Sequence, residues 1–221
     1  MSRLTGIDLV GPVEPWLALG LAAGADGSIQ VGEVALRFGA TEPVLVSAPA
    51  PARPDCDGVA VRADGSGEGR YSLDPGRGDD VVSGVAVAAD SRPTGCGHAI
   101  GARRVDHVVL MTPDLARTCA AAAAVFGEPL KRERDAGNGV RQGFFRLGEV
   151  ILEIVQSPQT AGDGPARFWG LVLVVEDLDR VCATLGPAVI SGPRAAVQPG
   201  RRIATLRGGA GLGCAVALMS D

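Results

Sequence analysis

The second half of the chain repeats one order of predicted elements, and this repeat constrains the fold more than any other feature. The stretch VDHVVLM (105–111) is short, apolar and β-branched, as a buried strand is, and a helix that Gly127 ends follows it. VRQGFFRLGEVILEIVQS (140–157) then predicts two strands around a tight turn. The order begins again at FWGLVLVV (168–175), with a short helix and a glycine-turned hairpin. Two tandem β-α-β-β-β units therefore describe residues 103–221.

The start of the first helix is predicted from its capping residues. Thr112 is expected as the N-cap, Pro113 in the first helical position and Asp114 in the first turn. Apolar residues at helical spacing follow until Gly127. The segment therefore predicts one amphipathic helix that packs on the sheet.

The N-terminal half repeats the pattern more weakly. IQVGEVALRF (29–38) matches FRLGEVILEI (145–154), with the Gly-Glu-Val turn in the same place. DGVAVRAD and SGVAVAAD predict two strands around a polar, glycine-rich stretch in which no helix is expected. Internal repeats of this kind indicate tandem modules. We predict an α+β protein with a degenerate module at 1–90, a linker at 91–102 and an intact domain at 103–221.

Composition limits the classes of function. A net charge of -4 provides no basic surface for phosphates, which argues against a nucleic-acid partner. Apolar runs are too short to span a membrane, and the N-terminus lacks a signal-peptide core. Five scattered cysteines without a C-x-x-C pair are typical of reduced thiols. The sequence therefore predicts a cytoplasmic protein with no membrane partner.

Four stretches of the second half resemble the vicinal oxygen chelate superfamily, which includes glyoxalase I, extradiol dioxygenases and bleomycin-resistance proteins. These stretches are VDHVVLMTPDL, FFRLGEVILEIV, FWGLVLVVEDLD and GLGCAVALM. The resemblance implies that two units form a cupped mixed sheet around a divalent metal. It also implies that the first and last strands of each unit each offer one ligand, usually His or Gln and then Glu, and that the protein forms a homodimer.

Transferred to this sequence, the ligand positions give only half of such a site. His107 and Glu153 occupy the two positions of the first unit. The matching positions of the second unit, at nearly the same separation, fall on Gly170 and Ala217, whose side chains cannot bind a metal. Arg37 stands at the place of Glu153 in the N-terminal copy, so a metal site is not expected there.

Three interpretations of His107 and Glu153 remain open at this point. They could hold a divalent metal (Zn, Fe, Mn or Ni) as a half site, although a catalytic metal usually has three protein ligands. They could act without metal as a catalytic general acid-base pair. His107 could also simply be a buried polar residue whose hydrogen bonds are satisfied by Glu153 or by the backbone.

Strand alternation predicts which other side chains line the cup. The small residues Gly170 and Ala217 are expected to leave volume for an apolar ligand, although loops or helices could fill it. Trp169 is expected beside the cup, either stacked on a ligand or packed in the core. The predicted substrate-binding residues are Val109, Met111, Val155, Trp169, Gly170, Val172, Ala215, Ala217 and Met219.

Other polar residues are expected to be structural. Arg201 and Arg202 begin a predicted strand, where a solvated strand edge is favoured over an anion site. His98 lies in the predicted linker and is expected to be exposed. The leading functional hypothesis is binding of a small, partly apolar molecule in the C-terminal cup. The alternatives are a metal-assisted lyase, isomerase or dioxygenase that uses His107 and Glu153, and a non-catalytic interaction protein.

Overall fold

The computed structural model of the protein describes residues 1–65 and 97–221. In these residues the chain forms two mixed β-sheets, one from each half of the sequence. The predicted strand SGVAVAAD and most of the glycine-rich stretch before it lie outside the described residues. No helix in the described part of the chain is long and apolar enough to cross a membrane.

Over residues 1–65 the N-terminal sheet has six strands, and we call it, with its helix, the N-terminal module. Its elements are β1 (Arg3–Val10), α1 (Glu14–Ala18), β2 (Ile29–Val31), β3 (Val34–Ala40), β4 (Val44–Ala48), β5 (Asp55–Cys56) and β6 (Val59–Ala63). The strand order is β2-β3-β1-β4-β6-β5. The two central strands, β1 and β4, are antiparallel, and each lies parallel to its other neighbour, β3 or β6.

The C-terminal sheet has eight strands and, with its two helices, forms the C-terminal module. Its elements are β7 (Ala102–Thr112), α2 (Leu115–Phe126), β8 (Arg132–Gly137), β9 (Val140–Leu147), β10 (Val150–Gln156), β11 (Arg167–Val175), α3 (Leu178–Leu185), β12 (Arg194–Ala195), β13 (Arg202–Thr205) and β14 (Ala215–Met219). The order β12-β13-β14-β11-β7-β10-β9-β8 places the two predicted β-α-β-β-β units side by side. The first strands of the units, β7 and β11, pair antiparallel at the centre.

The two sheets share one central arrangement of strands. The order β3-β1-β4-β6 in the N-terminal module corresponds, with the same directions, to β10-β7-β11-β14 in the C-terminal module. Within the described residues each N-terminal unit has three strands instead of four, and no helix separates β4 from β5. The predicted fold class, tandem modules with cupped mixed sheets, is therefore confirmed. The domain boundaries at residues 90 and 102 remain predictions.

The N-cap of the helix that follows β7 lies two residues later than predicted. Asp114, not Thr112, is the N-cap, because its side chain accepts the backbone N–H of Arg117 at 3.0 Å. Thr112 still belongs to β7, and its hydroxyl accepts the N–H of Asp114 at 3.1 Å. Pro113 therefore precedes the helix instead of occupying its first turn. The predicted end is confirmed, since Gly127 adopts φ 65° at the C-cap.

Matching turns hold the two modules together. A Cβ on Gly32, in the β2–β3 turn, would lie 2.9 Å from the carbonyl oxygen of Arg103 at the start of β7. Its counterpart Gly148, in the β9–β10 turn, would place a Cβ 2.8 Å from the Cβ of Arg3 at the start of β1. Each module therefore inserts its Gly-Glu-Val turn against the first strand of the other. Such close contact between backbones explains why glycine occupies both turns.

The turn between β5 and β6 makes a further contact between the modules. The carboxylate of Asp57 accepts hydrogen bonds from the hydroxyl of Thr118 and from Nε of Arg117, both on α2. The backbone carbonyl of Asp57 also accepts the N–H of Ala166 at 2.7 Å. Asp57 therefore links the N-terminal module to helix α2 and to the residue just before strand β11 of the C-terminal module.

His98 is buried, so its predicted exposure is wrong. Its Nδ1 accepts the backbone N–H of Ala22 at 3.0 Å, and its Nε2 lies 2.9 Å from the carbonyl oxygen of Gln30. An imidazole that accepts at Nδ1 and donates at Nε2 is neutral. His98 thus links the segment after α1 to strand β2. Its two backbone partners, at Ala22 and Gln30, lie far from it in the sequence, so only the tertiary structure reveals the contact.

Candidate functional site

The C-terminal sheet carries a cavity of about 170 Å³ on its concave face. Side chains from both units and from the segment at 194–198 line it. The lining residues are His107, Arg134, Gln142, Phe144, Glu153, Val172, Arg194, Ala195, Ala196, Val197, Gln198, Ile203 and Met219. The cavity therefore combines an apolar part, contributed by strands of both units, with a polar part near β7 and β10.

The two candidate catalytic and metal-binding residues line the same cavity. His107 lies on β7 and Glu153 on β10, and the two strands pair in parallel with Glu153 opposite Val109. Residues two apart on a strand share a face, so His107 and Glu153 lie diagonally across the strand pair. The parallel pairing thus brings together two groups that are far apart in the sequence.

Asp106 also points toward His107, although adjacent strand residues normally face opposite sides. Its Oδ2 lies 2.6 Å from Nδ1 of His107, and both side chains are buried. The pairing of β7 with β11 explains this, because Val172 pairs with His107 and Leu173 pairs with Val105, which leaves Asp106 as an extra residue. A β-bulge of this kind redirects a side chain. The contact is short but poorly aligned, since neither atom has a partner with hydrogen-bond geometry in the described residues.

Two arginines hold the other oxygen of Asp106. Oδ1 accepts a hydrogen bond from Nη1 of Arg201 at 3.1 Å and one from Nη2 of Arg104 at 3.3 Å. Burial by itself would raise the pKa of Asp106, but His107 and Arg201 outweigh it and lower the pKa to about 2. Asp106 is therefore ionised at neutral pH. The interpretation of Arg201 as part of a solvated strand edge is wrong, because its side chain is largely buried against this carboxylate.

Glu153 has a different environment. Its Oε1 accepts a hydrogen bond from Nε2 of Gln142 at 2.6 Å. Burial raises the pKa of Glu153, and the nearby charges of His107 and Arg134 and the Gln142 hydrogen bond oppose this only in part. The cavity therefore places a carboxyl group with a raised pKa near an imidazole that faces an ionised aspartate.

The donor set at this site does not fit a three-ligand metal centre. His107 and Glu153 supply two donors, and no group of three or more His, Cys, Asp or Glu residues in the described ranges could hold a metal. Gln142 contributes a buried Oε1 that has no hydrogen-bond partner in the same part of the chain. His107 and Glu153 are the only imidazole and carboxylate donors of the described residues that line the cavity. With these two donors the site falls one short of a three-ligand metal centre.

The remaining predicted binding residues divide into two groups. Val172 and Met219 line the cavity, whereas six others share its face by strand register but lie outside it. Those six are Val109, Met111, Val155, Gly170, Ala215 and Ala217. The cavity is thus displaced toward β9 and β13 from the position that alternation alone suggests.

Two expectations about the cup are corrected by local geometry. A Cβ on Gly170 would lie 1.9 Å from the carbonyl oxygen of Ala215, so this glycine leaves no open volume for a ligand. Its missing side chain instead allows β11 and β14 to approach each other. Trp169 is the extra residue at a second irregularity of the β7–β11 pairing, this time on the β11 side. It does not line the cavity, and because it is 50% exposed it does not pack in the core.

Sequence reasoning missed several residues of the cavity and its surroundings. Asp106 was hidden by strand alternation, because a bulge leaves no clear mark in the sequence. Gln142 and Arg134 lie two residues or more inside β9 and β8, where alternation could have identified Gln142 once Glu153 was assigned inward. Arg194 and Gln198 come from a proline- and glycine-flanked segment whose path only the folded chain defines.

Part of the chain matches a known protein family. Residues 104–203 match the family model of the Glyoxalase/Bleomycin resistance protein/Dioxygenase superfamily. None of the curated proteins searched matches the chain.

Similar solved structures include a methylmalonyl-CoA epimerase from Mycobacterium tuberculosis. It has 18% identity and a TM-score of 0.47, and the match covers 56% of this chain and 91% of that one. The Streptomyces coelicolor methylmalonyl-CoA epimerase in complex with 2-nitronate-propionyl-CoA has 19% identity and a TM-score of 0.45, with 54% and 95% covered. A hypothetical protein from Bacillus halodurans has 17% identity and a TM-score of 0.43, with 53% and 94% covered.

Proposed function

Because residues 104–203 form a domain of the glyoxalase, bleomycin-resistance and dioxygenase superfamily, we propose that this protein binds a small, partly apolar molecule on the concave face of its C-terminal sheet. The observation that supports this most is the shared cavity of His107 and Glu153, with apolar residues from both units around it. Small-molecule sites usually combine a mostly apolar lining with a few placed polar groups.

The lining suggests the size and charge of the ligand. A cavity of about 170 Å³ is close to the roughly 150 Å³ that accommodates benzene in an engineered protein, so one ring or a short branched chain would fill it. Phe144, Val172 and Ile203 offer apolar contacts, and Arg134 and Arg194 add two positive charges. We therefore propose a ligand with a compact apolar body and a carboxylate or similar anionic group.

His107 would bind the polar part of the ligand. Its Nδ1 faces Asp106, which leaves Nε2 as the ring nitrogen available to a ligand. Arg104 and Arg201 in turn hold Asp106, so the carboxylate that faces the imidazole has a fixed position. Fixed polar groups lose less conformational entropy on binding than mobile ones.

A second candidate function is proton transfer, and the environment of Glu153 favours it. Burial raises the pKa of this carboxyl group, and enzymes that use a carboxyl group as a general acid raise its pKa in the same way. His107 lies on the same face of the cavity and would supply the second proton-transferring group. In this hypothesis His107 and Glu153 are the catalytic residues of a metal-free isomerase or lyase.

A thermal-shift screen with aromatic and branched-chain carboxylates tests the binding proposal. We expect saturable stabilisation of the wild type that is lost in Ile203→Trp, which fills the cavity, and weakened at least tenfold in Arg194→Met. Arg146→Met, which removes an exposed arginine of β9 outside the cavity, is the matched control and should bind normally. Equal stabilisation of the wild type and Ile203→Trp would refute binding at this site.

Metal analysis separates the metal-assisted alternative from both proposals. Protein purified without chelator is analysed for Zn, Fe, Mn and Ni, together with the His107→Ala and Glu153→Ala variants. Stoichiometric metal that both variants lose would support a metal-dependent enzyme and would count against the metal-free hypothesis.

The homodimer and the non-catalytic interaction role both remain predictions. A measurement of the molar mass in solution tests the homodimer.

A further inference from the structure

We propose a second ligand site, on the face of the N-terminal sheet that corresponds by register to the cavity face of the C-terminal sheet, where Arg37, Asp8 and Arg62 bind a small anionic group. This proposal does not depend on the function of the C-terminal cavity. The sequence predicts no metal site in the N-terminal module. The ligand proposed for this module is an anion, not a metal cation.

Strand register shows that this cluster occupies the positions of the C-terminal site. Asp8 pairs with Arg37 as Val109 pairs with Glu153, so Arg37 takes the position of Glu153. Arg62 pairs with Val46 as Ala217 pairs with Val172, so Arg62 takes the position of Ala217. The degenerate module has therefore replaced an acidic residue and a small residue of the cup with two arginines.

Asp8 holds the two arginines together but neutralises only one of them. Its carboxylate, 5% exposed, accepts hydrogen bonds from Nε and Nη2 of Arg62 at 3.0 and 3.1 Å. Arg37 is more loosely bound, with a single contact from Nη1 to Oδ1 of Asp8 at 3.4 Å. The three side chains thus carry one surplus positive charge in a partly buried site, where an anion is favoured. Asp26 is a further acidic residue with which Arg37 interacts electrostatically.

Arg37 is the residue with donors to spare. In the described residues Asp8 is its only hydrogen-bond partner, whereas a guanidinium carries five N–H groups. Its side chain is 26% exposed, so a small molecule can reach it from solvent. A planar guanidinium fork binds carboxylate or phosphate oxygens in pairs.

Gly6 makes room for this arrangement. A Cβ at this position would lie 2.4 Å from Nη1 of Arg37. By register Gly6 corresponds to His107 of the other module, because Gly6 lies two residues before Asp8 as His107 lies two before Val109. The side chain that would face a ligand in the C-terminal cup is therefore absent, and the guanidinium of Arg37 occupies the space.

The experiment measures anion binding to the full chain at constant ionic strength, with inorganic phosphate and propionate as separate probes. Isothermal titration gives the affinity, and the ¹⁵Nε–H signals of arginine report which guanidinium responds. The variants are Arg37→Met, Arg37→Lys and the matched control Arg132→Met, which removes an exposed arginine of β8. Arg194→Met removes a cation of the C-terminal cavity and separates the two sites.

We expect saturable binding of at least one probe that survives in Arg132→Met and Arg194→Met. Binding should fall at least tenfold in Arg37→Met and by a smaller factor in Arg37→Lys, which keeps the charge but not the fork. The probe that binds more tightly decides between a carboxylate and a phosphate ligand. Circular dichroism checks that each variant folds, and Arg37→Lys keeps the test valid if Arg37→Met does not fold. The proposal fails if neither probe saturates the wild type or if folded Arg37→Met and Arg37→Lys bind as tightly as the wild type.

Discussion

Asp106 and His107 are neighbours in the chain, yet their side chains meet on one face of the sheet, with Oδ2 and Nδ1 2.6 Å apart. The bulge opposite Val172 makes this possible by inserting Asp106 as an extra residue in β7. The cost of burying the carboxylate is offset by Arg201 and Arg104. One irregularity in pairing thus places an ionised carboxylate against the candidate site histidine.

Replacing Asp106 by Asn should destabilise the protein at neutral pH. The pKa of Asp106 falls from 3.8 to about 2 on folding, which corresponds to about 2 kcal/mol at roughly 1.4 kcal/mol per pH unit. A lowered pKa stabilises the fold above the unfolded value and loses that effect as pH falls through the folded value. The difference between wild type and Asp106→Asn should therefore shrink between about pH 4 and pH 2.

Urea denaturation at pH 7, 4 and 3 measures this difference. The control is Asp179→Asn, which removes an exposed carboxylate paired with Arg202 and should change the free energy of unfolding by less than about 1 kcal/mol. A difference for Asp106→Asn that stays constant over the whole pH range would show that its charge is not what stabilises the fold.

Glu153→Gln should stabilise the protein at pH 8 and have little effect at pH 4. Burial raises the pKa of Glu153, so this residue favours the fold while protonated and loses that contribution as pH rises through its folded pKa. A neutral amide removes the dependence and can still accept the hydrogen bond of Gln142. Thermal melting at both pH values, with exposed Glu149→Gln as control, tests this. A lower melting temperature of Glu153→Gln at pH 8 would contradict it.

Gly170→Ala should be strongly destabilising because no space exists for a side chain there. The added Cβ would lie 1.9 Å from the carbonyl oxygen of Ala215, so β14 must move away from β11. We expect a loss of about 2 to 3 kcal/mol in the free energy of unfolding. Gly192→Ala is the matched control, since its Cβ would meet nothing within 4 Å, and should be nearly neutral. Equal stability of the two variants would mean that the strands are not in close contact.

His98→Ala should destabilise the N-terminal module. The substitution removes the partner of the Ala22 N–H and of the Gln30 carbonyl, both in partly buried surroundings. Leaving them unpaired should cost about 2 kcal/mol, measured by chemical denaturation. Gln159→Ala, at an exposed position, should stay within about 0.5 kcal/mol of wild type. A wild-type free energy of unfolding for His98→Ala would mean that water replaces the imidazole.

Local signals predicted the fold because each acts within a few residues. The Gly-Glu-Val turns at Gly32 and Gly148 stand in the same place in both modules, and Gly127 ends α2 as expected. The N-cap was misplaced because Thr112 and Asp114 are both good capping residues, and the choice depends on where β7 stops pairing. Strands such as β4 and β8 were missed because the sequence there lacks a clear apolar alternation.

Periodicity and turn residues are local properties, so they predicted most of the order of strands and helices in the C-terminal module and the repeat of that order. The inward position of His107 and Glu153 was implied by the family resemblance. What surrounds those two residues depends on tertiary contacts. A bulge turned Asp106 toward His107, the antiparallel pairing of β9 with β10 set Gln142 beside Glu153, and close strand contact removed the space expected at Gly170. Each depends on how distant strands align, and no short stretch of sequence encodes that alignment.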